Sequence, residues 1–312
     1  MDVVEDTLRF LTARMQIEAE WAVQEATAFR WWAHTLAQRV WAAPPREIHG
    51  VTVRTLHIET DLLADVPMGA STWTRLASIN RFATLSAYVA DTAAGTVKLH
   101  ASVSLTSDNA LLARAIALHA MALQMADAYS EATELADAFS AQVDATPHPT
   151  HGLRQRPDEM VGILEVYQER GQGESPFDAD EIAELVHLEP RPWTVASNEL
   201  HRLDAQLEFA EDTPALLTLD ASTRHDALGS GLHYCLILPV EPDDMIAQRL
   251  NASECLEPDA HHLGAWCVDP DRGLMFTGFV PAAAFLPGLS RALVYHLSAK
   301  NEWARALLFP AG

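Results

Sequence analysis

The histidines of this chain include two close pairs, and histidine is the side chain that most often binds a metal in proteins. One pair is His148 with His151, and the other is His261 with His262, which follows Asp259. A metal site needs three or four donors that converge at about 2 Å from the ion. Neither pair has the spacing of an H-E-x-x-H or C-x-x-C motif. The sequence therefore predicts exposed loop histidines at both places and no metal site.

Motifs for a nucleophile or a cofactor are missing from the sequence. It contains no G-x-S-x-G, no P-loop and no G-x-G-x-x-G that follows a strand. The Gly229-Ser230-Gly231 stretch is too short for a phosphate loop and predicts a hairpin turn. Asp243 and Asp244 begin a helix, where the helix dipole already favours acidic side chains. We therefore expect no catalytic residues and no bound cofactor.

The three cysteines, Cys235, Cys255 and Cys267, all lie in the last third of the chain. Their odd number and the absence of C-x-x-C spacing are typical of a protein in a reducing compartment. The first residues are acidic, where a signal peptide would be basic. The longest apolar stretch, residues 110–125, is interrupted by Arg114 and is not typical of a membrane span. We therefore expect a cytoplasmic location and no membrane insertion.

The net charge restricts the partners of the protein. The 312 residues include 21 Lys and Arg against 43 Asp and Glu, which gives a formal charge of −22 at pH 7. A field of this sign repels nucleic-acid phosphates and anionic lipids. We therefore expect no nucleic-acid partner. The hydrophobic content of 49% is ordinary for a globular protein, and the length favours two domains.

The spacing of apolar residues predicts the elements that must position these side chains in the first half. From Leu8 to Val40 they recur at steps of three and four, which predicts one or two helices that end at Pro44. The alternating stretch 48–63 predicts one long strand or a bent pair of strands. The further predicted elements are a short helix at 72–80, a hairpin at 82–105 and a long amphipathic helix after Asp108.

A stretch rich in proline separates this half from the second, which also mixes helices and strands. The predicted helices of the second half lie at 158–169, 178–188, 242–250 and 289–308. Its predicted strands lie at 203–209, 215–221 and 232–240, followed by a hairpin at 263–280.

The two halves share their order of elements. Each contains strands, a short helix that ends in an apolar residue followed by Asn, a hairpin and a long amphipathic helix. Each hairpin turn has the form Asp-x-x-x-Gly, from Asp91 to Gly95 and from Asp269 to Gly273. The Asp can accept hydrogen bonds within the turn, and the Gly supplies the positive φ that the turn needs. The sequence therefore predicts an α+β protein of two repeated domains, each an antiparallel sheet with helices on one face, packed as an intramolecular pseudo-dimer.

This order of elements resembles the type III secretion chaperone-like fold, which includes the YbjN-type bacterial proteins. The resemblance is carried by Ile79–Leu105 and Leu250–Val280, each with the helix that follows it. The fold would occur twice, as domains 1–145 and 158–312 joined by a linker at 146–157. The chain departs from the pattern in a longer N-terminal helix and in an apparently smaller number of strands in its first half.

The resemblance implies an acidic, non-enzymatic protein, because the secretion chaperones of this group bind partner polypeptides in extended form. We therefore expect a chaperone or adaptor that binds a partner protein in the bacterial cytoplasm. Two alternatives remain open from the sequence: a structural subunit of a larger assembly, which includes a homo-oligomer, and an enzyme with a site between the two halves.

Aromatic side chains are the candidates for partner binding. Trp31 and Trp32 are neighbours, and neighbours on a helix point about 100° apart, so we expect one of them to be exposed at a contact surface. The alternative interpretation of both is packing in the core, since large aromatic side chains dominate buried area. Tyr88, Trp266 and Phe276 lie on the predicted hairpin strands and are further candidates. For Trp266 and Phe276 the alternative interpretation is packing in the core, since a sheet of an α+β domain buries one face against helices.

Overall fold

The computed structural model of this chain describes residues 2–48, 50–177, 179–189, 191–210, 213–256 and 262–309. Asp259 and His261, in the second histidine pair, lie outside the described residues. The chain divides into two compact units. Unit 1 contains Met1–Leu76, Leu85–Leu164 and Asn251–Leu263, and unit 2 contains Ala77–Thr84, Glu165–Leu250 and Gly264–Gly312.

The described residues form seven α-helices and fifteen β-strands. The helices are α1 (Val3–Arg14), α2 (Ala70–Asn80), α3 (Ala110–Phe139), α4 (Ile163–Arg170), α5 (Ala179–Glu184), α6 (Asp244–Leu256) and α7 (Leu289–Leu308). The strands of the first half are β1 (Ala22–Gln24), β2 (Ala28–Trp31), β3 (Gln38–Ala42), β4 (Arg46–Ile48), β5 (Val51–Ala64), β6 (Ala87–Asp91), β7 (Thr96–Leu105) and β8 (Gln142–Val143). Those of the second half are β9 (Trp193–Glu199), β10 (Arg202–Ala210), β11 (Thr213–Asp220), β12 (Arg224–His225), β13 (Gly229–Ile237), β14 (Ala265–Asp269) and β15 (Gly273–Pro281).

Unit 1 is built on an antiparallel sheet with the strand order β1-β2-β3-β5-β7-β6, and β4 and β8 pair with β5. The long helix α3 covers one face of this sheet. Gln124 of α3 is fully buried and donates from Nε2 to the carbonyl of Ile58 at 3.0 Å and to Ser86 Oγ at 2.9 Å. Ile58 itself is fully buried. Because side chains alternate along a strand, His57 and Glu59, the neighbours of Ile58, lie on the opposite face of the sheet.

Unit 2 repeats this topology. Its sheet has the strand order β9-β10-β11-β13-β15-β14, with β12 paired to β13, and α7 covers one face. The six main strands follow one another in the same order in the two sheets, and α2 and α6 occupy the same place in the chain order. The predicted α+β class with two repeated antiparallel sheets is confirmed.

The two hairpin turns have the same hydrogen bonds. In each, the Asp side chain accepts from the backbone N–H groups two and three residues later, at 2.9 to 3.1 Å. Gly95 and Gly273 close the turns with φ of 69° and 89°, in the region that favours glycine. The two turns, which the Asp-x-x-x-Gly pattern predicted to be equivalent, therefore have the same local geometry.

The prediction of helix from Leu8 to Val40 is wrong beyond α1. The stretch forms the three strands β1, β2 and β3. Strand β3 is paired with β5 in antiparallel register, with Val40 opposite Ile58. Aromatic and β-branched residues favour strands, and pairing with a long central strand outweighs the helical spacing. The first half therefore has as many main strands as the second, which corrects the expected departure from the repeat.

The turn predicted at Gly229-Ser230-Gly231 is also wrong, because these residues begin strand β13. Ser230 pairs with Arg224 and Gly229 with His225, so the turn lies just before Gly229. Gly229 has a φ of 74° and approaches the backbone of Gly171 so closely that a Cβ would lie 2.3 Å from its carbonyl oxygen. These glycines serve close backbone packing.

Residues 146–157, predicted as a linker, are fixed within unit 1, and the two units divide between Leu164 and Glu165. Arg154 is only 6% exposed. Its guanidinium donates to the carbonyl of Trp32 at 2.7 Å and to Glu18 Oε2 at 2.7 Å. The segment has the composition of a linker, but a buried arginine and hydrogen bonds at Thr146 attach it to unit 1.

Each unit also contains a short segment from the other half of the chain, namely Asn251–Leu263 in unit 1 and Ala77–Thr84 in unit 2. In unit 1, His262 and Ser102 exchange backbone hydrogen bonds of 3.0 and 2.9 Å as an antiparallel bridge. In unit 2, the N–H of Phe279 donates to the carbonyl of Thr84 at 3.1 Å. We call these segments the exchanged segments.

Candidate functional site

Trp31 and Trp32, which were expected to include an exposed contact residue, are both buried, with exposures of 0% and 1%. The Trp31 indole N–H donates to Gln38 Oε1 at 2.9 Å, and that of Trp32 donates to the carbonyl of Thr146 at 2.7 Å. The expected exposure is wrong because Trp31 ends a strand and does not lie on a helix, so that both sides of the chain are covered here. In this position neither indole can contact a partner.

Trp266 and Phe276 are likewise fully buried, and their rings meet at 5.4 Å in unit 2. Lys300 of α7 lies over the Phe276 ring, with its Nζ 4.5 Å from the ring centroid. The core interpretation of both residues is therefore confirmed. Tyr88 lies on strand β6 and is half-buried. Its role as a partner contact stays a prediction.

The face of the unit 2 sheet opposite α7 carries polar side chains. Arg202 and Asp220 are directly opposite each other on β10 and β11, and His233 on β13 is opposite Asp220. Together with Thr277 and residues of the exchanged segment they line a cleft of about 350 Å³. We call it the unit 2 cleft; its lining residues all belong to unit 2.

Most charges in the unit 2 cleft are paired. Arg202 donates to both carboxylate oxygens of Asp204 at 2.9 and 3.0 Å, and its Nη1 lies 3.7 Å from Asp220. Burial favours a higher pKa for Asp220, but hydrogen bonds from Ser222 and the charge of Arg202 outweigh it and lower the pKa. This arrangement keeps Asp220 ionised at neutral pH.

Exposed side chains at the edge of the unit 2 cleft are available to a ligand, and Arg272 and Phe82 are among them. Arg272 is exposed, and it has no ion-pair partner within the part of the chain that the structure describes. Phe82, in the exchanged segment, is 72% exposed. A cation and an aromatic ring therefore stand at the edge of a polar cleft.

His233 and Thr277 are the pair in the cleft that most resembles a base and a nucleophile, with 3.0 Å between Nε2 and Oγ1. Burial, together with the charge of Arg272, lowers the pKa of His233 to about 4. Thr277 is only 1% exposed. A general base works best with a pKa near the working pH, and a nucleophile must be reached by its substrate. This pair meets neither condition.

A second polar cluster lies in unit 1, on the sheet face opposite α3. His57 Nδ1 lies 3.2 Å from His100 Nε2, and His100 Nδ1 lies 2.9 Å from His262 Nδ1. His262 Nε2 in turn lies 3.3 Å from Asn251 Oδ1. All three histidines are buried, and Cys255 stands next to them with a partly exposed side chain.

One set of neutral tautomers satisfies these three contacts, if each histidine donates towards Asn251 from the nitrogen on that side. His57 Nε2 then carries only a lone pair, and it has no hydrogen-bond partner among the described residues. Burial lowers the pKa of His57 to about 4, against the opposing effect of Glu59. His57 is therefore uncharged at neutral pH.

Sequence reasoning missed this cluster. His262 is fully buried and His148 is buried at 6% exposure, which corrects the expectation of exposed loop residues for these two. His151 is exposed, as predicted. The alternation of β5 and β7 could have placed His57 and His100 on one face. Nothing local to the sequence indicates that Asn251, Cys255 and His262 lie against that face.

No family model, curated protein or solved structure matches this chain in the three comparisons. Among the described residues, no helix combines the length and apolar character needed to cross a bilayer.

Proposed function

We propose that this protein is a non-enzymatic chaperone or adaptor of the cytoplasm that binds an extended segment of a partner polypeptide in the unit 2 cleft. The observation that carries the proposal is the exposed Arg272, which has no ion-pair partner among the described residues, together with the 72% exposed Phe82 at the edge of this cleft. Exposed aromatic rings and arginines are the side chains that most often anchor protein partners. The three free cysteines agree with a reducing compartment.

The composition of the cleft supports a polypeptide as the ligand. Its lining offers arginines, aspartates and threonine hydroxyls, so it can pair with side chains of either charge and with peptide groups. Small-molecule sites are usually lined mainly by apolar side chains. A groove over a sheet face, with an aromatic ring at its edge, suits an extended chain whose alternate side chains enter it.

The enzyme alternative has one specific feature in its favour, the contact between His233 and Thr277. The low pKa of His233, about 4, and the burial of Thr277 both argue against acyl transfer there. The structural-subunit alternative predicts that the chain assembles through its surface and leaves the cleft empty of peptide.

Selection from a library of unstructured peptides, followed by fluorescence anisotropy of a selected peptide, tests the proposal. We expect Arg272→Gln and Phe82→Ala each to weaken binding by about tenfold or more, as for anchor residues of an interface. Arg249→Gln and Leu200→Ala are the matched controls, because both side chains are exposed in unit 2 away from the cleft. They should bind as the wild type does.

Two results would contradict the proposal. One is that no peptide is selected while light scattering shows a stable oligomer, which favours the structural subunit. The other is a selected peptide whose affinity is the same in Arg272→Gln and Phe82→Ala as in the wild type, which places binding elsewhere.

A further inference from the structure

His100, Cys255 and His262 form a set of metal donors in unit 1, independent of the unit 2 cleft. One donor atom of each residue lies within 4.8 Å of the other two. We propose that these three residues bind one transition-metal ion of the zinc class, which holds the exchanged segment Asn251–Leu263 on the sheet of unit 1. The inference goes beyond partner binding and does not depend on it.

The two imidazoles are held in place before any metal arrives. His100 lies in the middle of strand β7, paired on both sides with β5 and β6. The backbone of His262 is fixed by two hydrogen bonds to that of Ser102, and its N–H also lies 3.0 Å from Ser102 Oγ. Preorganised ligands lower the entropy cost of binding.

Each histidine ligand has the outer partner that metal sites use. In known sites the second ring nitrogen donates to a carbonyl, carboxylate or similar acceptor, which fixes the ring. With the metal on the Nδ1 atoms, His262 Nε2 donates to Asn251 Oδ1, and His100 Nε2 donates to His57 Nδ1. His57 then carries its own proton on Nε2, so metal binding reverses the direction of the His57–His100 hydrogen bond. His57 is itself held by stacking on Trp41, with 4.0 Å between ring centroids.

Cys255 supplies the third donor from the last turn of α6. Its thiol lies 3.4 Å from the carbonyl of Asn251, one helical turn earlier. Burial raises the pKa of this thiol, so without a metal it is protonated. A bound transition-metal ion displaces the proton from a coordinating thiol.

The donor set selects the class of ion. Two imidazoles and one thiolate suit zinc or copper, whereas calcium and magnesium require oxygen ligands. Bonds of about 2.0 to 2.3 Å in a tetrahedron put donor atoms roughly 3.3 to 3.8 Å apart. His100 Nδ1 and His262 Nδ1 are 2.9 Å apart and the whole set lies within 4.8 Å, so the Cys255 thiol must move by up to about 1 Å to complete the site. Three protein donors leave the fourth position to a water or an added ligand.

Binding here joins parts of the chain that are far apart in sequence. His100 belongs to the first half, and Cys255 and His262 belong to the second. A zinc ion on these donors therefore adds its binding free energy to the attachment of the exchanged segment.

Titration of the reduced full-length chain with Co²⁺ tests the proposal, because cobalt bound by a thiolate absorbs in the near ultraviolet and tetrahedral cobalt absorbs in the visible. We expect one ion per chain with both bands, and displacement by one equivalent of Zn²⁺. Cys255→Ser should remove the thiolate band. His262→Gln should weaken binding by at least about tenfold, a loss seen even when an outer partner of a ligand is removed.

Controls separate this site from adventitious binding to other histidines. Cys267→Ser, at a buried cysteine in unit 2, and His151→Gln, in the other histidine pair, should keep both bands and the affinity. Circular dichroism and the melting temperature establish that each variant folds. The proposal is overturned if folded wild-type protein shows no thiolate band, or if Cys255→Ser binds Zn²⁺ as tightly as the wild type does.

Discussion

At the scale of single residues, Gly278 shows how closely the sheet of unit 2 is packed. The ring of the fully buried Tyr234 lies over this glycine in strand β15. A Cβ added at position 278 would lie 2.3 Å from the Tyr234 hydroxyl oxygen and 2.4 Å from Cζ. The ring is enclosed on all sides and cannot turn away without disturbing the core.

We therefore expect Gly278→Ala to lower the free energy of unfolding by about 1 to 3 kcal/mol, the usual cost of overpacking a core. Urea unfolding followed by circular dichroism measures the change. Gly173→Ala is the control, because a Cβ there meets nothing within 4 Å. If both variants are equally stable, Tyr234 does not confine this position.

A carboxylate on α3 makes the stability of unit 1 depend on pH. Burial, together with the charge of Glu131, raises the pKa of Asp127 to about 7. An unfolded aspartate has a pKa of about 3.9, so ionisation of Asp127 opposes folding above this value. As the pH falls from 8 towards 4, Asp127 is protonated in the native state before it is protonated in the unfolded state. The loss of stability caused by its ionisation therefore disappears.

Asp127→Asn removes the ionisation and keeps the shape of the side chain. We expect the variant to be more stable than the wild type at pH 8, with a difference that shrinks steadily towards pH 4. Asp137→Asn, at an exposed position on the same helix, should show no such trend. A difference between Asp127→Asn and wild type that is constant across this range would show that Asp127 titrates normally.

At the scale of elements, the spacing of apolar residues correctly predicted those helices and strands that local interactions determine. The hairpins, α3 and the long strand β5 all appear where alternation or helical spacing placed them. Strands β1 to β3 were not predicted, because their pairing with β5 comes from contacts distant in sequence. The histidine cluster was missed for the same reason, since His262 reaches His100 only through the exchanged segment.

The Arg154 side chain, which is 6% exposed, is the most extensively bonded side chain of residues 146–157. Besides Trp32 and Glu18, its guanidinium lies 3.4 Å from Asp158 and over the ring of Trp21 at 5.1 Å. These contacts join the segment to the edge of the sheet near β1. Without the guanidinium the Trp32 carbonyl and both carboxylates lose their donor.

We expect Arg154→Gln to lower the free energy of unfolding by about 3 kcal/mol, in the range found when one partner of a buried ion pair is removed. Hydrogen exchange should become faster at Thr146 and Asp158, whose N–H groups bond to the chain near Trp32. Arg156→Gln is the control. Unchanged exchange at both amides in Arg154→Gln would mean that the segment is held by its backbone alone.

At the scale of the whole molecule, each unit uses its two sheet faces differently. One face is covered by the long helix α3 or α7, and the other carries polar side chains together with the exchanged segment. In unit 1 that second face holds the histidine cluster, and in unit 2 it holds the cleft. A duplicated fold has thus kept its core and diverged in chemistry on the same face of the sheet.

The net charge of −22 acts on any partner that approaches. A peptide selected for the unit 2 cleft with lysines at its ends should associate faster at low ionic strength, because the field of the protein attracts it from a distance. Raising the salt from low concentration to about 0.5 M shortens the Debye length to a few ångströms. We expect the association rate constant of the lysine-flanked peptide to fall by about tenfold or more, and its dissociation rate constant to change little.

Stopped-flow fluorescence measures both rate constants, and the same peptide with the lysines replaced by glutamines is the control. An association rate that ignores salt for the lysine-flanked peptide would show that the charge of the molecule plays no part in recruiting its partner.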